Sequence, residues 1–410
     1  MTTNTQIPTS SNHGILVPEF NFSAGTESVV RKITEAWVTT GRRVVLAAPA
    51  HRLNHYDRIG LDAKVIRAPF LWPRKGWQRV LRGLQRTGRA PASFQQTLLS
   101  WRLRQLSKQH HCTVAFIPWL FDLPNMRLPL PYGALAMDLA WHHFPAGAYS
   151  PRSREILDKR FSRWLDHATT YFPVSEATAN EIKQSFPHCR TPMKTIPHGA
   201  DLINRPKRSS PSQTPLFIYP AGFSVNKAHL LLLQVGKLLL ESGINFRLVF
   251  TGHGTTLITR ADQIAPLSLQ PVQEFYRQHA DLFHGHIEAL GFTDRDNLEQ
   301  LYATARRVVL PSTYEGFGLP LVEAFSRGAD IICSDIPPFR EQISRYSMED
   351  RVHVVSASTP EAWADSMRSA IELPHPVPPP PAELRSRLQR WSWSDAATAY
   401  LEELDKIARS

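Results

Sequence analysis

The stretch Glu315-Gly-Phe-Gly-Leu-Pro-Leu-Val-Glu323 decides the fold of this 410-residue chain, because it sets a glycine-flanked turn between a strand and a helix. Arg307 to Leu310 upstream reads as a buried strand, and Pro311 to Gly318 as a tight loop. Pro320 reads as the first helical residue, where a missing N–H is harmless, and the helix closes at Gly328. Leu321, Val322 and Phe325 supply its apolar face, and Asp330 to Cys333 begins the next strand. Strand, turn, helix and strand form one unit of an open sheet, and such units bind ligands beyond the carboxyl ends of their strands.

The turn suits a charged, hydroxyl-rich ligand. Gly316 and Gly318 let the backbone approach closely, and the N–H groups of the helix start attract an anion such as phosphate. Glu315 lies before the helix and Glu323 in its first turn. Two acceptor-only carboxylates around an anion-binding turn fit a ligand carrying both phosphate and vicinal hydroxyls, as a sugar nucleotide does. Each residue also fits a plainer role, Glu323 as a partner of the helix dipole worth about 0.3–1 kcal/mol and the glycines as turn formers.

Outward from this unit, strands and helices alternate through two doubly wound halves. Strands are expected at Gly14 to Val17, Arg43 to Ala48, Thr113 to Ile117, Gly133 to Met137 and Thr169 to Val174, with a helix from Thr26 to Thr39. Leu202 to Pro215, rich in proline, serine and basic residues, reads as an interdomain linker. The pattern then restarts with a strand at Leu216 to Tyr219, a helix at Ala228 to Glu241 and a strand at Phe246 to Thr251, and continues to about Val355. Pro374 to Pro381 reads as a polyproline connector before Leu384 to Arg390 and a last helix, Ser394 to Ala408.

A chain of this length exceeds what one hydrophobic core supports, and 42% hydrophobic residues can bury two. The longest apolar run, Leu230 to Leu240, is interrupted by Gln234, Gly236 and Lys237, and falls short of the roughly 20 residues of a membrane-spanning helix. The polar N-terminus has no signal-peptide core, and Cys112, Cys189 and Cys333 lack the spacing of a zinc site or a disulfide framework. The expected compartment is the cytoplasm.

Between Ala63 and Phe121 there is no acidic residue but there are eleven lysines and arginines, a number equal to the net charge of the whole chain, +11. Trp72-Pro-Arg-Lys-Gly-Trp77 leads into Arg79, Arg82, Arg86 and Arg89, with Val80, Leu81 and Leu84 interleaved. Such spacing gathers charge on one side of a helix, so segment 64–108 reads as a surface for anionic lipid at the inner face of the cytoplasmic membrane. Nucleic acid is the weaker partner, and a merely solvated basic face is the plain alternative. Asp294-Arg-Asp296 has the DxD pattern of a cation site, but Asp294 precedes Leu298, Leu301 and Tyr302 and is well placed as a helix cap, so no catalytic metal is expected. Ser175 is likewise read first as a cap.

The run Glu315 to Glu323, with Pro311-Ser312 before it and Ile331 to Arg340 after it, resembles the signature of retaining GT-B glycosyltransferases of family four. Tyr219-Pro-Ala-Gly-Phe-Ser-Val-Asn-Lys227 resembles that family's phosphate-binding lysine segment. Phe250-Thr-Gly-His-Gly254 and Leu290-Gly-Phe-Thr-Asp294 resemble the strand end and turn that follow. Pro173 to Thr178 and Ile196 to Asp201 match in kind and order, and the likeness is specific from about residue 165 to 345.

The resemblance implies an α/β GT-B fold of two Rossmann-like domains facing a central cleft. Residues 1–205 would form the acceptor-side domain, completed by 391–410, and residues 206–390 the nucleotide-sugar domain. It implies a hexosyltransferase that moves a sugar from GDP-mannose or a UDP-sugar to a hydroxyl of a glycan or lipid-linked acceptor, with retention, in bacterial surface polysaccharide synthesis. Lys227 would hold the diphosphate together with Gly316, Phe317, Gly318 and Leu319, while Glu323 takes the ribose and Glu315 the sugar. Gly222 and Gly252 would admit the backbone close to the donor, and Gly25, after Ser23-Ala24, would approach it from the other domain. Asp138 would lie near the reacting sugar, where same-face attack needs no protein nucleophile and double displacement through Asp138 is the alternative.

The chain departs from the family pattern at three points. No arginine precedes Lys227 in Gly222-Phe-Ser-Val-Asn226, the Gly25 loop has one glycine where two are common, and Met137 stands where relatives have histidine before the aspartate, with His142 and His143 close by. A catalytically inactive nucleotide-sugar or membrane-binding protein, or a nucleotide-sugar epimerase of the same fold, is the alternative.

Overall fold

The computed structural model describes residues 13–19, 24–70, 94–119, 128–144, 150–203, 214–260 and 262–409. Much of the basic segment 64–108, the greater part of the expected linker and Ser23 lie outside the described residues.

Two parallel six-stranded sheets organise the chain. The first contains β1 (Gly14–Pro18), β2 (Val44–Pro49), β3 (Ile66–Phe70), β4 (Cys112–Ile117), β5 (Tyr132–Ala136) and β6 (Thr170–Pro173), in the order β3-β2-β1-β4-β5-β6. The second contains β7 (Leu216–Pro220), β8 (Arg247–Thr251), β9 (Ile287–Gly291), β10 (Arg307–Leu310), β11 (Ile331–Ser334) and β12 (Val352–Val355), in the order β12-β11-β10-β7-β8-β9. Val44-Val-Leu-Ala-Ala-Pro49 and Ile331-Ile-Cys-Ser334 are buried throughout, as parallel strands covered by helices on both faces must be.

Strand order reverses between β1 and β4 in the first sheet and between β7 and β10 in the second. Ligands bind at such switch points, outside the carboxyl ends of the strands. The loops leaving β7 and β10 therefore flank the natural binding crevice of the second domain. They are the loops that carry Lys227 and Glu315.

The end of the chain completes the first domain's core. The helix Trp393–Arg409 lays Tyr400 against Phe116 and Phe172, with ring centroids 5.4 and 5.3 Å apart, and the Trp37 indole N–H donates to the Ala397 carbonyl at 2.8 Å. At the crossing, His198 stands between Phe317 of the turn and Trp393, at 5.0 and 5.5 Å. Burial pushes the His198 imidazole down to about 3, so it is neutral there.

Several expectations need correction. Pro320 is the second helical residue, since the helix is Leu319–Ser326 with Gly318 as its cap, and Glu323 consequently lies in the second turn. Lys227 ends a short 3₁₀ turn, Val225–Lys227, and the helix expected from Ala228 starts at His229, after Ala228 takes a left-handed conformation at φ 48°. β3 is a strand the sequence reading did not place, and the final helices are Pro381–Leu388 and Trp393–Arg409. Gly328 does end the Leu319–Ser326 helix region, with the left-handed φ of 58° that favours glycine after a helix.

Candidate active site

The loop 311–318 is fixed from three sides before it presents any chemistry. The Tyr219 hydroxyl donates to the Lys227 carbonyl at 2.8 Å, the Asn226 carboxamide N–H donates to the Tyr314 carbonyl at 2.9 Å, and the Thr313 amide donates to the Asn226 carbonyl at 2.8 Å. The Lys227 turn and the Glu315 turn are thereby one rigid unit across the switch point. Within it the Lys227 ammonium is ion-paired directly to the Glu315 carboxylate, both side chains mostly buried.

An ammonium has three N–H donors, so one to Glu315 leaves two for another acceptor. Among the described residues, none accepts a hydrogen bond from the amides of Phe317, Gly318 or Leu319, although Phe317 is buried. Gly318 is the cap and Leu319 the first residue of the helix, positions whose amides have no intrahelical acceptor and can serve an anion. Cation and amides together line a crevice with the donors an anion would need.

Asp138 faces this crevice from the first domain, just past β5. Its carboxylate accepts from the Ala140 amide at 3.0 Å. Burial raises its proton affinity above the ordinary carboxylate range, and the charges of Glu315 and Glu181 add to this against the Ala140 amide and Lys227. Gly316 is where the domains meet most closely: a Cβ there would lie inside the envelope of the Met137 carbonyl oxygen and 2.9 Å from the Asp138 Cβ. The Gly316 carbonyl accepts from the Ser175 hydroxyl at 2.6 Å and the Thr178 hydroxyl at 3.1 Å. Ser175 also caps its own helix, Glu176–Ser185, by accepting from the Thr178 amide at 3.0 Å.

The same helix start receives Glu341 of the second domain, whose carboxylate accepts from the Glu176 amide at 3.0 Å and the Ala177 amide at 2.8 Å. A carboxylate on a helix N-terminus is favourable on both hydrogen-bond and dipole grounds. Neither Glu341 nor Glu181 carried any local signal in the sequence, because Glu341 meets amides 164 and 165 positions away and Glu181 meets Tyr314 133 positions away.

Glu323 opens toward solvent, with Arg327 and Glu299 behind it and Lys32 of the first domain near enough to act on it. Arg327 is itself held by a buried bidentate pair with Glu299, at 2.7 to 3.1 Å, and lies 4.3 Å from the Tyr302 ring centre. Gly222 and Gly252 pack loop on loop at the ends of β7 and β8: a Cβ on Gly252, at φ 138°, would meet the Ala221 carbonyl at 2.6 Å. Gly25 lies in the first turn of the helix Ala24–Thr39, and the loop before it is outside the described residues.

The two histidines near Met137 have separate roles. His142 turns to Asp158 at 2.6 Å, whereas His143 pairs with Glu181 at 2.5 Å and stacks on Tyr314 with ring centres 4.0 Å apart. Asp294, by contrast, is a helix cap, accepting from the Asn297 amide at 2.9 Å. At the end of β1, Glu19 is fully buried on Arg52 at 2.8 Å, and burial pushes its carboxyl up to about 7 against the pull of that arginine.

Comparison with known proteins agrees with this geometry. Residues 201–390 match the family model of glycosyl transferases group 1. The chain is 28% identical to the O-antigen chain mannosyltransferase B of Escherichia coli over 73% of each protein. It is 25% identical to the serotype-specific mannosyltransferase WbdA of Escherichia coli over 62% of this chain, and there it spans about a third, 32%, of the relative's length. Among solved structures, sucrose-phosphate synthase from Thermosynechococcus elongatus superposes with a TM-score of 0.69 over 97% of this chain and 100% of that one, at 15% identity. Residues 201–390 thus carry the group 1 glycosyltransferase signature, the chain has the two-domain GT-B fold, and its relatives support an enzyme of the hexosyltransferase type.

Proposed function

We propose that this chain transfers mannose from GDP-mannose to a hydroxyl of a glycan or lipid-linked acceptor, with the anomeric configuration retained, in the assembly of a bacterial surface polysaccharide. The observation that carries the reading is the Lys227–Glu315 pair beside orphan turn amides, with Asp138 closing the crevice from the opposite domain. Departure of a nucleoside diphosphate builds negative charge on phosphate and positive charge on the sugar. Lys227 and the turn amides meet the first, and the carboxylates of Glu315 and Asp138 meet the second, without calling on a metal ion. Glu323 takes the ribose hydroxyls. The choice of mannose follows the mannosyltransferase relatives and the Tyr219-Pro-Ala opening of the lysine segment.

A membrane-surface role for the first domain is favoured by one feature of the helix Phe94–Gln109. Its outer face exposes Leu98 and Trp101, 50% and 57% accessible, in line with Arg104 and Lys108. Apolar and cationic side chains on one face suit an anionic lipid interface, which supports a peripheral position at the inner side of the cytoplasmic membrane. Among the described residues, no helix is long and apolar enough to cross a membrane.

A thermal-shift panel of nucleotide sugars tests the donor. Saturation at a hundred times Kd stabilises the native state by about 2.7 kcal/mol, and GDP-mannose is expected to raise Tm more than UDP-glucose or UDP-N-acetylglucosamine. Stabilisation by no nucleotide sugar would contradict the reading, and stabilisation without transfer would leave a binding protein of the same fold.

A further inference from the structure

We propose that Tyr314 is a positioning residue that sets the catalytic groups of the two domains against each other. This rests on the glycosyl-transfer reading of the site. Three residues placed at the chemistry, Lys227, Glu315 and Asp138, lie on three separate loops. The immediate neighbours of all three meet at one tyrosine. Tyr314 precedes Glu315 in the chain, and its carbonyl accepts from Asn226, the residue before Lys227, at 2.9 Å. Its hydroxyl accepts from the amide of Leu139, the residue after Asp138, at 2.7 Å. The same hydroxyl donates to the Glu181 carboxylate at 2.8 Å.

Each end of the tyrosine is thus committed to a different domain. The backbone end belongs to the Lys227 unit, and the phenol reaches 175 positions along the chain to the Asp138 loop. A phenolic hydroxyl has one proton to give and lone pairs to receive, and here the Leu139 amide and Glu181 use both functions. The Glu181 carboxylate fixes the direction of the hydroxyl, and its other oxygen is held by His143, whose ring lies on the Tyr314 face at an interplanar angle of 19°. Burial and the charges of Asp138 and Glu181 hold the phenol protonated far above its ordinary range, so it remains a donor at every working pH. Tyr314 acts through Asp138 and Glu315, its hydroxyl being committed to the Leu139 amide and the Glu181 carboxylate.

Tyr314→Phe removes the hydroxyl while keeping the ring and its stacking. It leaves the Leu139 amide and the Glu181 carboxylate each short of one partner. The Lys227 unit stays intact, because Asn226 binds the Tyr314 carbonyl, which phenylalanine retains. The expected result is a kcat lower by roughly 10- to 100-fold, the size that follows from losing one buried hydrogen bond at a demanding geometry, with donor Kd changed by less than about threefold. Glu181→Gln, which still accepts from the phenol, is expected to retain kcat within about threefold. Glu181→Leu is expected to fall like Tyr314→Phe, and the double variant Tyr314→Phe/Glu181→Leu no further than the worse single one.

Hydrogen exchange at the Leu139 amide gives a readout independent of turnover. In Tyr314→Phe, exchange at Leu139 is expected to accelerate by roughly 10-fold or more, with amides of the second-domain strands unchanged. If the wild type transfers no sugar but Leu139 exchange responds as stated, the glycosyl-transfer reading fails and the tie between domains stands. An active wild type with unchanged kcat in Tyr314→Phe overturns the inference. Additive losses in the double variant, or a parallel loss of donor binding, overturn it as well.

Discussion

Lys227→Ala is expected to lower kcat by roughly 10²–10³-fold, the effect of deleting one preorganised donor from a charge-stabilising site, about 3–4 kcal/mol. The loss has two sources. The ammonium that faces the developing negative charge disappears, and the Glu315 carboxylate, mostly buried, loses its ion-pair partner. An unpaired carboxylate beside a phosphate repels it, so donor affinity falls together with kcat. Glu315→Ala alone frees Lys227 from its pair but removes the acceptor for the sugar, and it also reduces turnover. Since the two groups act as one unit, the double variant is expected to be little worse than Lys227→Ala. Lys227→Arg does not restore the activity, because a planar fork cannot share one point charge between a carboxylate and phosphate oxygens in the same turn. Steady-state kinetics of the four variants check this; a loss below about tenfold for Lys227→Ala would remove it from the chemistry.

Gly316→Ala is expected to stop the domains from meeting. The added methyl collides with the Met137 carbonyl oxygen and the Asp138 Cβ, and both belong to backbone that cannot step aside without carrying Asp138 with it. It also pushes apart the Gly316 carbonyl and its donors Ser175 and Thr178. Turnover should fall by roughly 100-fold or more, since a displacement of about 1 Å at a reacting centre has that effect. Donor binding, which draws on the second domain, should change only a few-fold, and Tm little. Gly318→Ala is the contrasting variant. At φ 95° and with Phe339 2.7 Å from the added carbon, it strains the turn itself, at about 1–3 kcal/mol, so donor binding and Tm drop together. Calorimetric donor titration and thermal melts of both variants separate closure from turn geometry. Equal losses of donor affinity would show that Gly316 serves only the turn.

The second domain was legible in the sequence because its elements carry local signals. Arg307 to Leu310 is a strand with the expected limits, and Asp294 caps its helix. β3 escaped notice because Ile66-Arg-Ala-Pro-Phe70 holds an arginine and a proline, which an edge strand tolerates and a pattern search reads as loop. The 3₁₀ turn that carries Lys227 was not legible for a conformational reason: nothing in alanine announces the left-handed turn at Ala228 that separates the lysine from the helix. Glu315, Lys227 and Asp138 could be named from motifs, and the structure brings them to one crevice. Tyr314, Glu181, Thr178 and Glu341 could not, since their meaning arises only when two domains close. Met137 changes sense in the same way, because the first domain offers the crevice its backbone carbonyl and the neighbouring Asp138.

The proposed reaction is retaining transfer of mannose from GDP-mannose. Its most direct test is proton NMR of the product formed from GDP-mannose and a mannose-terminated lipid-linked oligosaccharide. The new glycosidic anomeric proton is expected to have the configuration of the donor from the first turnover. An inverted product, or no transfer from GDP-mannose under conditions where it binds, would contradict it.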